Sequence, residues 1–120
     1  MLTSADPTPQ PTRLIKDRGL TISSQRQGDR HLLALHGQLD IANEKALDQE
    51  LKRVEASDAR QIILDLSRLN YMDSSGLRVI LAAQSRTSEG SDRLRLRRGP
   101  NAVQQVFEIT RTARLLAFVD

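Results

Sequence analysis

A chain of 120 residues carrying a net charge of +3 has the size of one compact domain. It contains no cysteine, which excludes disulfides, thiolate metal ligands and cysteine nucleophiles. Aromatic residues make up only 2%, so the core must be aliphatic, built from Leu, Ile, Val and Ala.

The N-terminal residues 1–19 carry Pro7, Pro9 and Pro11 at every second position. Proline is excluded from helix interiors and central ladders, so a flexible tail is expected there, with the ordered domain over 20–120. This stretch lacks the basic and apolar regions of a secretory signal. No run approaches the roughly 18 apolar residues of a membrane span. A cytoplasmic protein without membrane association is therefore expected.

Residues 20–25 and 31–37 read as two strands joined by a tight turn at Gly28 and Asp29, with Gly37 closing the second. Asp40 follows as a candidate N-cap, and Glu44 favours the first turn of the next helix. Leu47, Leu51 and Val54 recur at helical spacing, with Asp48 and Lys52 paired on the outer face. The apolar run 61–67 predicts a buried parallel strand. A polar loop over 68–72 and a helix starting near Ser74 come next, with Leu77, Ile80 and Leu81 on one face and Gly90 as its stop. Residues 92–98 alternate: Leu94 and Leu96 point one way, Arg93, Arg95 and Arg97 the other. Pro100 opens a helix carrying Val103, Val106 and Phe107, and 114–120 form a closing strand or short element. Strands alternating with helices predict an α/β domain. Its mixed, mostly parallel sheet has four to five strands, with three main helices.

The segment Asp73-Ser74-Ser75-Gly76 stands out because it joins the end of a buried strand to the start of a helix, where open α/β sheets place their sites. Either Asp73 or Ser74 can cap that helix, and plain capping is the simplest account of the four residues taken alone. A phosphate on Ser74 would add about −1.5 to −2 charge. The helix end would offset part of that, about 0.3–1 kcal/mol, and Asp73 would oppose it. The fold would survive. A partner packed dry over the same serine would face an uncompensated charge costing on the order of 3–5 kcal/mol.

The wider segment LDLSRLNYMDSSGLRVIL resembles the centre of the bacterial single-domain STAS proteins that act as anti-sigma factor antagonists. Gly37-Gln38-Leu39-Asp40 is similar to that family's G-x-L-D turn, and PNAVQQVFEITR to its third helix. The resemblance covers about residues 20–118. It implies that Ser74 is phosphorylated by a partner that is both serine kinase and anti-sigma factor, and that a serine phosphatase resets it. It also implies that Asp73, Ser75, Gly76 and Asp40 shape the partner surface, that the unphosphorylated form frees a sigma factor, and that the protein is no enzyme. ATP would belong to the partner, since the chain has no phosphate-binding G-x-x-x-x-G-K-[ST] loop and needs no cofactor of its own. Tyr71 departs from the family pattern, which favours an apolar aromatic there. A constitutive STAS subunit of a transport or stress-signalling complex is the alternative within the same family.

Other classes fit less well. A hydrolase would need a base for Ser74 or Ser75, and His31 and His36, on or at the end of a predicted strand, have no acid paired with them in the sequence. A receiver domain would place its acceptor at Asp65, but lacks its usual late lysine here. The Arg93, Arg95, Arg97 row could meet nucleic acid. With so few aromatics to stack on bases, a solvated face or a guarded sheet edge is the better account.

Overall fold

The computed structural model describes residues 10–90 and 92–119. Pro7 and Pro9 of the expected tail fall outside the described residues. Three antiparallel strands open the chain: β1 (Arg13–Asp17), β2 (Leu20–Gln27) and β3 (Arg30–Leu39). Helix α1 (Glu44–Glu55) crosses to β4 (Gln61–Met72), and α2 (Ser74–Ser88) crosses to β5 (Leu94–Arg97). Then α3 (Asn101–Ile109) and a short 3-10 turn (Ala113–Leu115) lead to β6 (Phe118–Val119). The strands lie in sequence order in one sheet, parallel from β3 to β6. The fold is thus the expected mixed, mostly parallel α/β sheet with three helices, but among the described residues it has six strands rather than four to five.

The first extra strand lies inside the stretch 1–19 expected to be tail. Arg18 (φ 44°) and Gly19 (φ 89°) both sit in the left-handed region and pair Asp17 with Leu20 across a two-residue turn. That is the geometry of a type I′ hairpin, which matches the twist of its strands. The next hairpin turns at Gly28 (φ 62°) and Asp29, as the sequence predicts.

Alternation along each strand sends one set of side chains into the core. Ser24, Leu33, Leu64, Leu96 and Phe118 lie in one row across β2 to β6. Against this face pack Leu47, Leu51 and Val54 of α1, Leu77, Ile80 and Ala83 of α2, and Val103 and Phe107 of α3. Phe107 meets Phe118 edge-on, with ring centroids 5.3 Å apart. The neighbouring row, Ser23, Ala34, Asp65 and Arg97, lies on the opposite and more open face.

Three local expectations are corrected by the structure. Gly37 does not close β3. The strand continues to Leu39 through a register irregularity, and Gly37 (φ 105°) lies where a side chain would collide with the Gly19 carbonyl. That carbonyl accepts from the Gln38 N–H at 3.0 Å. Residues 68–72 are not a loop either: β4 runs through them, because Leu69 and Met72 are both buried. The Arg93, Arg95, Arg97 row is neither an edge nor a free basic face. β6 covers β5, Arg93 donates to the carbonyls of Glu55, Ser57 and Ala59 past the end of α1, and Arg97 pairs with Asp65 at 3.5 Å.

Candidate functional site

The pairing of Leu39 with Met72 brings the ends of β3 and β4 side by side, and the Asp73 N–H donates to the Leu39 carbonyl at 3.2 Å. The turn after β3 and the start of α2 therefore form one surface at the carboxyl ends of two parallel strands. Asp40 enters it from the first and Ser74 from the second. These are the two places the sequence singled out.

Asp73 is the N-cap of α2. Its backbone is extended and its carboxylate accepts from the N–H groups of Ser75 (2.8 Å) and Gly76 (3.4 Å). Ser74 is the first helical residue and is exposed. Ser75 and Gly76 face inward. A side chain on Gly76 would lie 2.6 Å from Leu39 Cγ and Cδ2 and 2.9 Å from Met72 Cγ. Only glycine lets the first turn of α2 sit this close to the strand ends. Ser75 and Gly76 thus set the position of Ser74 rather than present side chains outward.

Asp40 is not the cap of α1; Asn43 occupies that position. The Asp40 carboxylate instead accepts from the Ala42 N–H at 2.9 Å, closing the turn on itself. Asn43 is fully buried and fastens the turn from inside. Its Oδ1 accepts from the Asp40 N–H at 3.0 Å, and its Nδ2 donates to the carbonyls of Arg18 (3.1 Å) and Gln38 (2.9 Å). The sequence reading missed Asn43, although an Asn just before a helix is itself a cap signal.

Two large apolar side chains flank this surface, and sequence reasoning did not assign them to it. Ile41 is 73% exposed in the turn and Tyr71 is 49% exposed at the end of β4, opposite Gln38. The one sequence signal for Ile41 is its apolar character between Asp40 and α1, outside any helical or strand pattern. Beside them, Arg78 of α2 reaches across to α1, its Nη2 donating to Glu44 Oε2 at 3.3 Å.

Neither histidine lies at this surface. His36 is exposed on the open face of the sheet. His31 is buried, with Nε2 2.7 Å from Ser24 Oγ, and Glu50 lies beside them. This is a serine, a histidine and an acid together, which the sequence did not reveal. The Ser24 hydroxyl, however, is itself buried against His31, and Glu50 is held by Arg53 and Arg13, so the group braces α1 against the sheet. Desolvation, together with the charge of Arg53, holds the His31 imidazole below its ordinary pKa. Burial pushes the Glu50 carboxyl up, but the bonds from Arg53 and Ser24 and the charge of Arg13 outweigh this and hold it below the ordinary range.

The fold and the strand-to-helix surface define a STAS-type domain, and comparison with known proteins agrees. The family described as "Mlab, STAS domain" matches residues 22–117. BtrV of Bordetella bronchiseptica, a protein assigned the role of anti-sigma factor antagonist, is 34% identical over 79 residues, covering 66% of this chain and 68% of BtrV. The fold is shared with an anti-sigma factor antagonist from Mycobacterium paratuberculosis (TM-score 0.69, 17% identity, 97% of this chain and 89% of that one). It is shared also with the antagonist SpoIIAA in its unphosphorylated form (TM-score 0.65, 18% identity, 92% and 89%) and, from Bacillus, its phosphorylated form (TM-score 0.60, 17% identity, 92% and 92%). The chain belongs to the STAS-domain family of anti-sigma factor antagonists.

Proposed function

We propose that this protein captures an anti-sigma factor through the surface around Ser74, and that phosphorylation of Ser74 by that same partner ends the capture. The observation that carries this reading is an exposed serine hydroxyl at the first position of α2, on a surface flanked by exposed Ile41 and Tyr71. Apolar side chains exposed around a small polar centre are what a partner can desolvate. The shared fold of SpoIIAA, known in unphosphorylated and phosphorylated forms, supports a switch of this kind.

The chemistry asks little of this chain. The partner supplies ATP; the Ser74 oxygen attacks its γ-phosphorus and the hydroxyl proton leaves. The bond to the bridging oxygen breaks, and ADP departs. A phosphatase reverses the state by hydrolysis, with water attacking phosphorus to return serine and inorganic phosphate. Asp73 and Asp40 edge the contact surface, while Ser75 and Gly76 hold Ser74 in place. Regulation of a sigma factor places the protein in the cytoplasm. No helix among the described residues is long and apolar enough to cross a membrane.

The energetic asymmetry is what makes the switch. Phosphate in a dry interface costs on the order of 3–5 kcal/mol, which is about 10²–10⁴ in affinity. The exposed serine itself is spared any such burial in the free protein. Ser74→Asp should therefore melt at the wild-type temperature and lose the anti-sigma factor in a pull-down, while Ser74→Ala should bind it and accept no phosphate from ATP. Undiminished binding by Ser74→Asp would remove Ser74 from the interface.

The STAS-domain match over residues 22–117 is equally compatible with a second reading, a constitutive subunit of a transport or stress-signalling complex. Capture of transporter subunits from native cytoplasm, with Ser74 unmodified by mass spectrometry, would favour it.

A further inference from the structure

Charge placed on Ser74 has to be answered by its surroundings, and the first turn of α2 is already occupied. The amides of Ser75 and Gly76 donate to the Asp73 carboxylate. The groups an anion at a helix start would ordinarily use are therefore taken, and by a like charge. Arg78 lies four residues beyond Ser74, one turn along the same side of the helix, where an anion preceding a cation is the favourable order. Its guanidinium is turned instead toward α1, with one contact to Glu44 at 3.3 Å. The Arg78 side chain is 70% exposed and that of Glu44 19% exposed. An ion pair with a single contact and one largely exposed partner is weak. A phosphomonoester near neutral pH carries close to two charges on three acceptor oxygens, and binds a guanidinium more strongly than one carboxylate oxygen does.

Resting on the reading of Ser74 as the phosphorylated residue, we propose that Arg78 exchanges Glu44 for the phosphate on Ser74, releasing the Glu44 carboxylate at the start of α1. The exchange spreads a change at one hydroxyl across the groove between the two helices. That groove, about 290 Å³, is lined by Glu44, Lys45, Asp48, Arg78, Val79 and Ala82. Before modification Glu44 and Arg78 cancel at its mouth. Asp48, deeper along α1, is held by Lys52 at 3.1 Å and Arg86 at 3.8 Å and does not change hands. After modification the groove keeps Glu44 uncompensated while Arg78 serves the phosphate. A partner resting on both Ser74 and the α1–α2 groove then meets new negative charge at two points instead of one.

Phosphoserine encoded at position 74 by amber suppression tests this without a kinase. The second ionisation of its phosphate is followed by phosphorus NMR against pH. Arg78→Gln should raise that midpoint by roughly 0.3 pH unit, the size expected of one helical ion pair, because the dianion loses its cation. Glu44→Gln should lower it, because the competitor for Arg78 is gone. Both substitutions lie at the surface, and unchanged melting curves establish that the fold is intact. An unmoved midpoint in either variant overturns the exchange. Tight binding of the phosphorylated wild type by an anti-sigma factor would instead sink the switch at Ser74, and leave the titration result standing.

Discussion

At the start of α2 three residues divide the work between them. Asp73 fixes the first turn, Ser74 faces out, and Gly76 lets the turn press against Leu39 and Met72. Two effects compete when Gly76 is replaced by Ala. Helix propensity favours Ala by about 1 kcal/mol. The new methyl, however, would sit 2.6 Å from the buried Leu39 side chain, and overpacking of this kind costs about 1–3 kcal/mol. Steric cost wins, because Leu39 and Met72 are enclosed and have no open space to yield into. Gly76→Ala should therefore lower the urea midpoint and weaken partner capture as α2 shifts; a variant more stable than wild type would contradict this packing. Asp73 and Ser74 were legible at the start of α2 because small polar residues at a strand-to-helix junction form a local pattern. Asp40, by contrast, was read from pattern as a cap that Asn43 occupies, and was linked to this surface only by the family resemblance. Ile41 and Tyr71 were not legible, since their exposure depends on how two chain segments far apart in sequence are brought together by the β3–β4 register.

Among the elements, the alternation of strands and helices was readable from hydrophobic period alone, and so were the cores of α1, α2 and α3. The errors came where a local signal was weak or misleading. The Arg18-Gly19 turn lacks the Asn or Asp that usually marks a type I′ hairpin, so β1 was read as tail. Residues 67–71 look polar, yet Leu69 and Met72 carry β4 onward on its buried side. The contact between α1 and the sheet at Ser24, His31 and Glu50 was hidden for another reason: polar residues at core positions declare themselves only when their partners are seen. Glu50 gathers Arg53 Nη2 at 2.6 Å and Arg13 Nε at 3.3 Å, so one buried carboxylate ties β1 and α1 together. His31 faces Ser24, Glu50, Arg53 and Arg26, and its pKa is lowered by desolvation first and by Arg53 second. The unfolded chain, with an ordinary histidine near 6.5, thus binds more protons than the native state just below that pH. Stability is fully present above about pH 6.5 and falls as pH drops toward the lowered native value. Urea midpoints at pH 7.5 and 5.5 should differ in the wild type and differ less in His31→Gln. Equal slopes in the two proteins would remove His31 as the source.

For the molecule as a whole, the question is where the folding unit begins, and the answer bears on the site as well as on stability. If the domain started at residue 20, removing 1–19 would cost no more than removing 1–12. The structure predicts otherwise. β1 pairs antiparallel with β2 from Leu20 to Ser24, partly buries Ile15 against the core and sends Arg13 to Glu50. The turn after it holds the proposed partner surface directly: the Arg18 carbonyl accepts from the Asn43 side chain, and the Gly19 carbonyl accepts from the Gln38 N–H. Truncation should be judged by such buried bonds rather than by position in the chain. Deleting 1–12 removes none of these, only the exposed bonds of Gln10 with Arg26 and Gln25, and should leave the melting temperature and partner capture close to wild type. Deleting 1–19 exposes the β2 edge, and a loss of about 2 kcal/mol would lower the melting temperature by roughly 8 °C for a domain this size. It should also reduce partner affinity with Ser74 untouched, because the turn carrying Asp40 and Ile41 loses two of its anchors. A short and a long deletion that melt and bind alike would show that β1 lends the fold nothing, and that the surface at Ser74 is held by β3, β4 and α2 alone.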